Sequence, residues 1–182
     1  MTDAPETVQT DDSIIENINE NKSLRPILTF MRRSSPLSNA QQQGLTDYSH
    51  LIVKAPISDA RTIFDNPNLP LTIEIGFGMG GSLVQMAKDA PERNFLGIEV
   101  HIPGIAQCAF DTGQAGITNL RLMDADALEV LAGIPDGSVD RVQLYFPDPW
   151  QKKRHFKRRF VAPERMALIV QKLAQGGWFH AA

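Results

Sequence analysis

The stretch LTIEIGFGMGGSLVQMAKDA, from Leu71 to Ala90, constrains the fold more than any other part of the chain. It opens on a short, largely apolar and β-branched run that glycines stop abruptly, which reads as a buried strand. Apolar residues then recur at helical spacing until Pro91 ends the pattern. The alternation continues. NFLGIEV reads as a second strand, PGIAQCAFDTGQAG as a helix that opens on proline and closes near glycine, NLRLMDAD as a third strand and ALEVLAGI as a short helix. After a PDGS turn, VDRVQLYF is a fourth strand. PERMALIVQKLAQGG is then a helix expected to run to its terminal glycines, and WFHAA begins a fifth strand. Strands alternating with helices imply parallel βαβ units, so the expected class is α/β with a doubly wound, mostly parallel sheet.

Length and composition bound the rest. At 182 residues and 42% apolar, the chain has room for one domain and an appendage. Net charge is only −3, but its distribution is uneven. Residues 1–21 carry six acids and no base, poor in aromatics, and are expected to form a disordered acidic tail. Residues 22–69 are expected to be a basic, partly helical appendage, and 70–182 the folded domain. Between 152 and 165 stand seven bases against one acid, Glu164, a density that marks either a solvated face or a phosphate-binding footprint. The single cysteine, Cys108, excludes a disulfide framework and a thiolate metal site. No apolar run is long enough to suggest a signal peptide or a membrane span, so a cytoplasmic protein without metal or membrane partner is expected.

The glycine turn itself leaves the ligand open. Gly76, Gly78 and Gly81 fit G-x-G-x-x-G, the dinucleotide fingerprint. Gly76, Gly78 and Gly80, with Glu74 ahead of them, fit E-x-G-x-G-x-G, which resembles the first motif of S-adenosylmethionine-dependent methyltransferases. Glu74 argues for the second, because a carboxylate repels a pyrophosphate and attracts a cationic aminoacyl-sulfonium group. Glu99, at the end of the second strand, suits ribose hydroxyls in either case. Asp126, after the third strand, fits an adenine contact or simply a helix N-terminal acid.

The fourth strand delivers FPDPWQKKRHFKRR to the same sheet edge. Pro147 and Pro149 stiffen the backbone on both sides of Asp148. Asp148-Pro149-Trp150 is similar to the Asn/Asp-Pro-Pro-aromatic motif of amino-methyltransferases that act on nucleic acid bases. Taken together, IEIGFGMGGSLVQMAKDAPERNFLGIEVHIPG and VQLYFPDPWQKKRHFKRRF resemble the bacterial tRNA (guanine-N7-)-methyltransferase family, with FMRRSSPLSNAQQQGL a looser match. The resemblance implies a Rossmann-like sheet of the class I methyltransferase type, S-adenosylmethionine as cofactor, and methyl transfer to guanine N7 in the tRNA variable loop. It implies that Glu74, Gly76, Gly78, Gly80, Glu99, Asp126 and Asp148 bind the cofactor, with Asp148 also the catalytic residue. Lys152, Arg154, Arg158 and Trp150 would meet the substrate, with Lys153, Lys157 and Arg159 beside them and Arg25, Arg32 and Arg33 as further backbone contacts. Trp150 or Phe146 would stack on the base, and His155 would be a phosphate contact at most.

The family's sheet closes with two further strands, so the resemblance also implies C-terminal strands beyond those legible here. A tRNA-binding module without catalysis and an NAD(P)-dependent oxidoreductase are the alternatives. A monomer or a homodimer is expected.

Overall fold

The structure, a computed structural model, describes residues 36–182. The acidic tail at 1–21 and Arg25, Arg32 and Arg33 lie outside the described residues. Six strands form one sheet: β1 (Ile52–Val53), β2 (Leu71–Ile75), β3 (Asn94–Glu99), β4 (Leu120–Asp124), β5 (Val139–Leu144) and β6 (Leu173–Ala181). All neighbours are parallel, in the order β1-β4-β3-β2-β5-β6. The helices are α1 (Asn39–Thr46), α2 (Gly81–Asp89), α3 (Ile102–Gln114), α4 (Ala127–Gly133) and α5 (Pro163–Lys172), with 3-10 turns at Ser49–Leu51 and Lys153–Arg158.

The five expected strands are present, in the doubly wound class that the alternation calls for. Two features differ from the sequence reading. Ile52–Val53 adds an edge strand beside β4, in a region read as helix and loop. The last helix stops at Lys172 rather than running to the glycines, and β6 starts five residues before Trp178. Leu173 pairs with Val139 while Trp178 pairs with Arg141, so the intervening residues are a bulge. Gly176, at φ +79°, supplies the left-handed residue that the bulge needs. The glycines serve the strand, not the helix cap.

Each face of the sheet carries its own core. Ile73, Ile75, Leu96, Ile98, Val142 and Leu144 pack with Val130 and Leu131 of α4 and Ile169 of α5. On the other face Phe95, Leu120 and Leu122 pack with Leu83 of α2 and Ile105 and Cys108 of α3. Strand side chains alternate, so Thr72 and Glu74 of β2 project to the α2–α3 face, where both are buried.

The amino end of the sheet is tied by one carboxylate. Asp140 Oδ2 accepts the Leu71 N–H at 2.7 Å and the Arg61 guanidinium at 2.9 Å. Leu71 is fully buried, so its N–H has no recourse to water if the acceptor is lost. Asp140→Ala is expected to lower unfolding free energy by about 1–3 kcal/mol, the cost of a stranded buried donor. Urea denaturation checks this, and an unchanged midpoint would show that the link contributes nothing to the fold.

Candidate active site

A cavity of about 330 Å³ opens at the carboxyl ends of β2, β3, β4 and β5. The chain winds from β2 through β3 to β4, then returns to place β5 on the other side of β2. That reversal is the switch point where open α/β sheets leave a crevice for ligands. Ile75 and Gly76 form one wall, Glu99 to His101 another, Ala125 to Ala127 a third, and Leu144 to Asp148 with Phe160 the fourth.

The glycine turn is held in shape from below. Gly76, Gly78 and Gly80 all take positive φ, at 69°, 60° and 80°. At Gly80 a Cβ would come within 2.4 Å of Cys108 Sγ, so α2 can start only with this residue against α3. The space in front of Gly76 and Gly78 is open. Glu99 fastens the turn to β3. Its Oε2 accepts the Gly78 N–H at 2.9 Å, and its Oε1 accepts the N–H groups of Val100 at 2.7 Å and His101 at 3.1 Å. Half-buried Glu99 lines the cavity with the same carboxylate.

Glu74 lies behind the turn and not in the cavity lining. It is 3% exposed, and its Oε2 has no hydrogen-bond partner. Burial pushes its carboxyl up to about 7. Gln143, its partner in register on β5, also has a buried Oε1 without a partner. Asp126 does line the cavity, and it also caps α4, its Oδ1 accepting the Leu128 N–H at 2.9 Å. The helix-capping reading of this residue is thus the one the geometry shows directly.

Asp148 stands exposed at the cavity wall, between two non-glycine residues in the left-handed region, Phe146 at φ 49° and Trp150 at φ 40°. Trp150 is not in the lining. Its ring lies under the Arg158 guanidinium at 4.9 Å and edge-on to His155 at 5.5 Å. His155 accepts from Arg154 Nε at 3.2 Å, and burial first, then the charges of Arg154, Arg158 and Lys152, lower its pKa. Lys152, Lys153, Arg154, Lys157 and Arg159 are exposed around the 3-10 turn, and among the described residues none of them forms an ion pair. Arg165 of α5 supports the turn, donating to the carbonyls of Arg159 at 2.6 Å and Lys157 at 2.9 Å. Sequence reasoning did not single out His101, Tyr145 and Phe160 as lining residues. Their signal was position alone, at the carboxyl edge of a strand or the exit of the basic stretch.

Among the described residues no group of acids, histidines and cysteines is placed to hold a metal ion, and no helix is long and apolar enough to cross a membrane. The buried carboxyl has a measurable consequence. Glu74 in the folded chain keeps a proton that the unfolded chain releases near 4.5, so stability is fullest below that pH and falls as pH rises through about 7. Moving from pH 5 to pH 8 should cost the protein at most roughly 3 kcal/mol through this group. Glu74→Gln should flatten the dependence. Chemical denaturation across that range checks it, and parallel profiles for the two proteins would remove Glu74 as the source.

Comparison with known proteins bears on what this cavity serves. A family model described as "Putative methyltransferase" matches residues 68–182. The tRNA (guanine-N(7)-)-methyltransferase of Acinetobacter baylyi is 59% identical over 181 residues, covering 100% of this chain and 71% of the relative. That of Psychromonas ingrahamii is 44% identical over 186 residues, covering 100% and 75%. Among solved structures, phosphoethanolamine N-methyltransferase 2 of Haemonchus contortus, with S-adenosylhomocysteine bound, aligns at a TM-score of 0.49 and 18% identity, over 78% of this chain and 27% of its own. With a strand, glycine turn and acid-tipped second strand on one side of the cavity and the FPDPW loop on the other, the chain belongs to the tRNA (guanine-N7-)-methyltransferases.

Proposed function

We propose that this protein transfers a methyl group from S-adenosylmethionine to N7 of a guanine in the variable loop of tRNA. The observation that carries the reading is the placement of Asp148 on the wall shared by the switch-point cavity and the exposed basic turn. The residues present fit the cofactor. Glu99 and Asp126 offer acceptors at the ends of β3 and β4 for ribose and adenine, while Glu74 lies behind the glycine turn, outside the lining, with a buried carboxyl oxygen that has no partner. Gly76 and Gly78 leave open space where ligand atoms can approach the backbone. Bound S-adenosylmethionine supplies an electrophilic methyl on a sulfonium.

The chain's own residues then have a limited task. Guanine N7 carries a free lone pair, so no residue has to remove a proton before transfer, and positioning dominates. Asp148 accepts hydrogen bonds from guanine N1–H and N2–H, which orients the base. Its charge also favours the positive charge that arrives on the ring. Lys152, Lys153, Arg154, Lys157, Arg158 and Arg159 meet the phosphate backbone, and Trp150 holds Arg158 in place rather than facing the cavity. Residues 70–182 make up the cofactor-binding domain in this reading. The enzyme acts in the cytoplasm as a monomer or a homodimer.

Asp148→Ala is expected to leave S-adenosylhomocysteine affinity within a few-fold and to lower single-turnover tRNA methylation by roughly 100-fold or more, as for loss of one preorganised electrostatic partner. Transfer near the parental rate would reject the role. Replacing Lys153, Arg154 and Arg158 together by alanine should flatten the salt dependence of tRNA binding by about 0.7–0.9 log unit per lost contact. Filter binding across a salt series reads the slope, and an unaltered one would make the turn a merely solvated face.

A further inference from the structure

Five polar side chains line the cavity, Glu99, His101, Asp126, Tyr145 and Asp148, and three of them are already engaged. Asp126 caps α4 through the Leu128 N–H, Tyr145 shares a hydrogen bond with His180, and Glu99 accepts three backbone N–H groups. Asp148 and His101 are left, and among the described residues neither side chain enters a hydrogen bond or an ion pair. Asp148 stands on the β5 wall. His101 stands on the same wall as Glu99, two residues further along.

The backbone sets the place of His101. Its N–H donates to Glu99 Oε1 at 3.1 Å, and its carbonyl accepts the N–H groups of Gly104 at 2.9 Å and Ile105 at 3.2 Å as α3 begins. It is the N-cap of that 13-residue helix, yet its side chain makes no capping bond. α3 crosses the glycine turn at Gly104, where a Cβ would collide with the Gly78 carbonyl and would lie 3.5 Å from His101 Nδ1. The half-buried ring therefore stands beside the turn that Glu99 holds, and it contributes nothing to the helix cap.

Lone-pair capacity decides what the ring is for. A carboxylate offers about four acceptor sites. In Glu99, Oε1 takes the N–H groups of Val100 and His101 and Oε2 takes that of Gly78, so one site remains, on Oε2. A ribose presents two neighbouring hydroxyls, each a donor. Glu99 alone can take one of them, and a hydroxyl enclosed without an acceptor loses its water for nothing. We propose that His101 is the second ribose ligand of this site, a ring nitrogen accepting one hydroxyl of the cofactor while Glu99 Oε2 accepts the other. The inference rests on the cofactor reading above and adds a binding residue to it. A neutral imidazole has the one acceptor nitrogen that this bond needs. Dividing the two hydroxyls between two side chains also stops the ribose from turning about the carboxylate, which a single bond would allow.

Calorimetry with S-adenosylhomocysteine and its 2′-deoxy and 3′-deoxy analogues tests the division. The unaltered protein should bind each analogue about two- to tenfold more weakly than the parent compound, the range for one hydrogen bond. His101→Phe keeps the bulk of the ring and removes the acceptor, and it should weaken the parent compound by a similar factor. That variant should then be indifferent to the loss of one hydroxyl and stay sensitive to the loss of the other, which Glu99 holds. His101→Asn, which carries an amide oxygen, should recover part of the affinity. With φ at −92° and no cap bond to lose, both variants should keep the melting temperature of the ligand-free protein. KM for S-adenosylmethionine should rise while kcat on tRNA stays within about two-fold, the pattern of lost ground-state binding. Unchanged S-adenosylhomocysteine affinity in His101→Phe would overturn the proposal, as would equal sensitivity of that variant to both hydroxyls. A lower melting temperature of both variants without ligand would show the ring to be structural and would overturn it too. If the unaltered protein binds no S-adenosylhomocysteine, the cofactor reading fails and this inference with it. Binding that ignores His101 defeats the inference alone.

Discussion

The carboxylate of Glu99 is the junction on which the site depends. Three backbone N–H groups converge on it, from Gly78 in the glycine turn and from Val100 and His101 leading into α3. Without it the turn after β2 and the turn after β3 would be two separate loops at neighbouring strand ends. With it the two turns are fastened to each other beside the cavity, through the Gly78 N–H of a turn in which Gly76, Gly78 and Gly80 all take positive φ. A charge-assisted acceptor shared among three donors is stronger and shorter than ordinary backbone bonding. The residue read from the sequence as a ligand contact is thus the piece that shapes the turn, and its carboxylate is fixed in orientation at the cavity.

Behind that junction the sheet carries a polar row where apolar residues would pack more simply. Glu74, Gln143 and His180 lie side by side in register across β2, β5 and β6, and Tyr145 bridges to His180 at the exposed end. Glu74 and Gln143 both leave a buried oxygen without a partner. A protein keeps such groups at a cost in folding free energy, because each loses water and gains nothing in return. The opposite face of the same strands is apolar throughout, with Ile73, Ile75, Val142 and Leu144 in one cluster. In these strands the polarity lies on the face toward α2 and α3, while Ile75 and Leu144 of the apolar face line the cavity.

How much of this the sequence discloses depends on the range of the interaction responsible. Strands such as NFLGIEV and the helices between them announce themselves through local periodicity, and all five expected strands form. Ile52–Val53 has too few residues to show a period, and only its partner β4 makes it a strand. The early end of α5 is likewise non-local. Lys172 reaches back to the Ile134 carbonyl at 2.9 Å and to Asp136, and Leu173 pairs with Val139, so tertiary contacts override two glycines that look like a cap. At the site, Glu99, Asp126 and Asp148 could be named because chemistry-bearing residues at strand ends converge in this topology. Trp150 could not be separated from Phe146, since the motif gives their order and says nothing of which ring Arg158 and His155 would occupy.

The FPDPW loop shows how a carboxylate can be made stiff without being buried. Asp148 is exposed and could rotate freely if its backbone allowed it. The backbone does not, and prolines are only part of the reason. Left-handed conformations at Phe146 and Trp150 are each costly and persist only where surrounding structure imposes them. On one side that structure is the sheet edge, through the Phe146 N–H and the Ala182 carbonyl. On the other it is the basic turn. Arg159 Nε donates to the Pro149 carbonyl at 3.1 Å, and Arg165 of α5 in turn holds the carbonyls of Lys157 and Arg159. The loop is clamped between β6 and α5, so the position of the carboxylate is set by elements that follow it in the chain and stay outside the cavity lining. The exposed bases and the bases that brace the loop come from one run of sequence, which ties the placement of Asp148 to the basic turn.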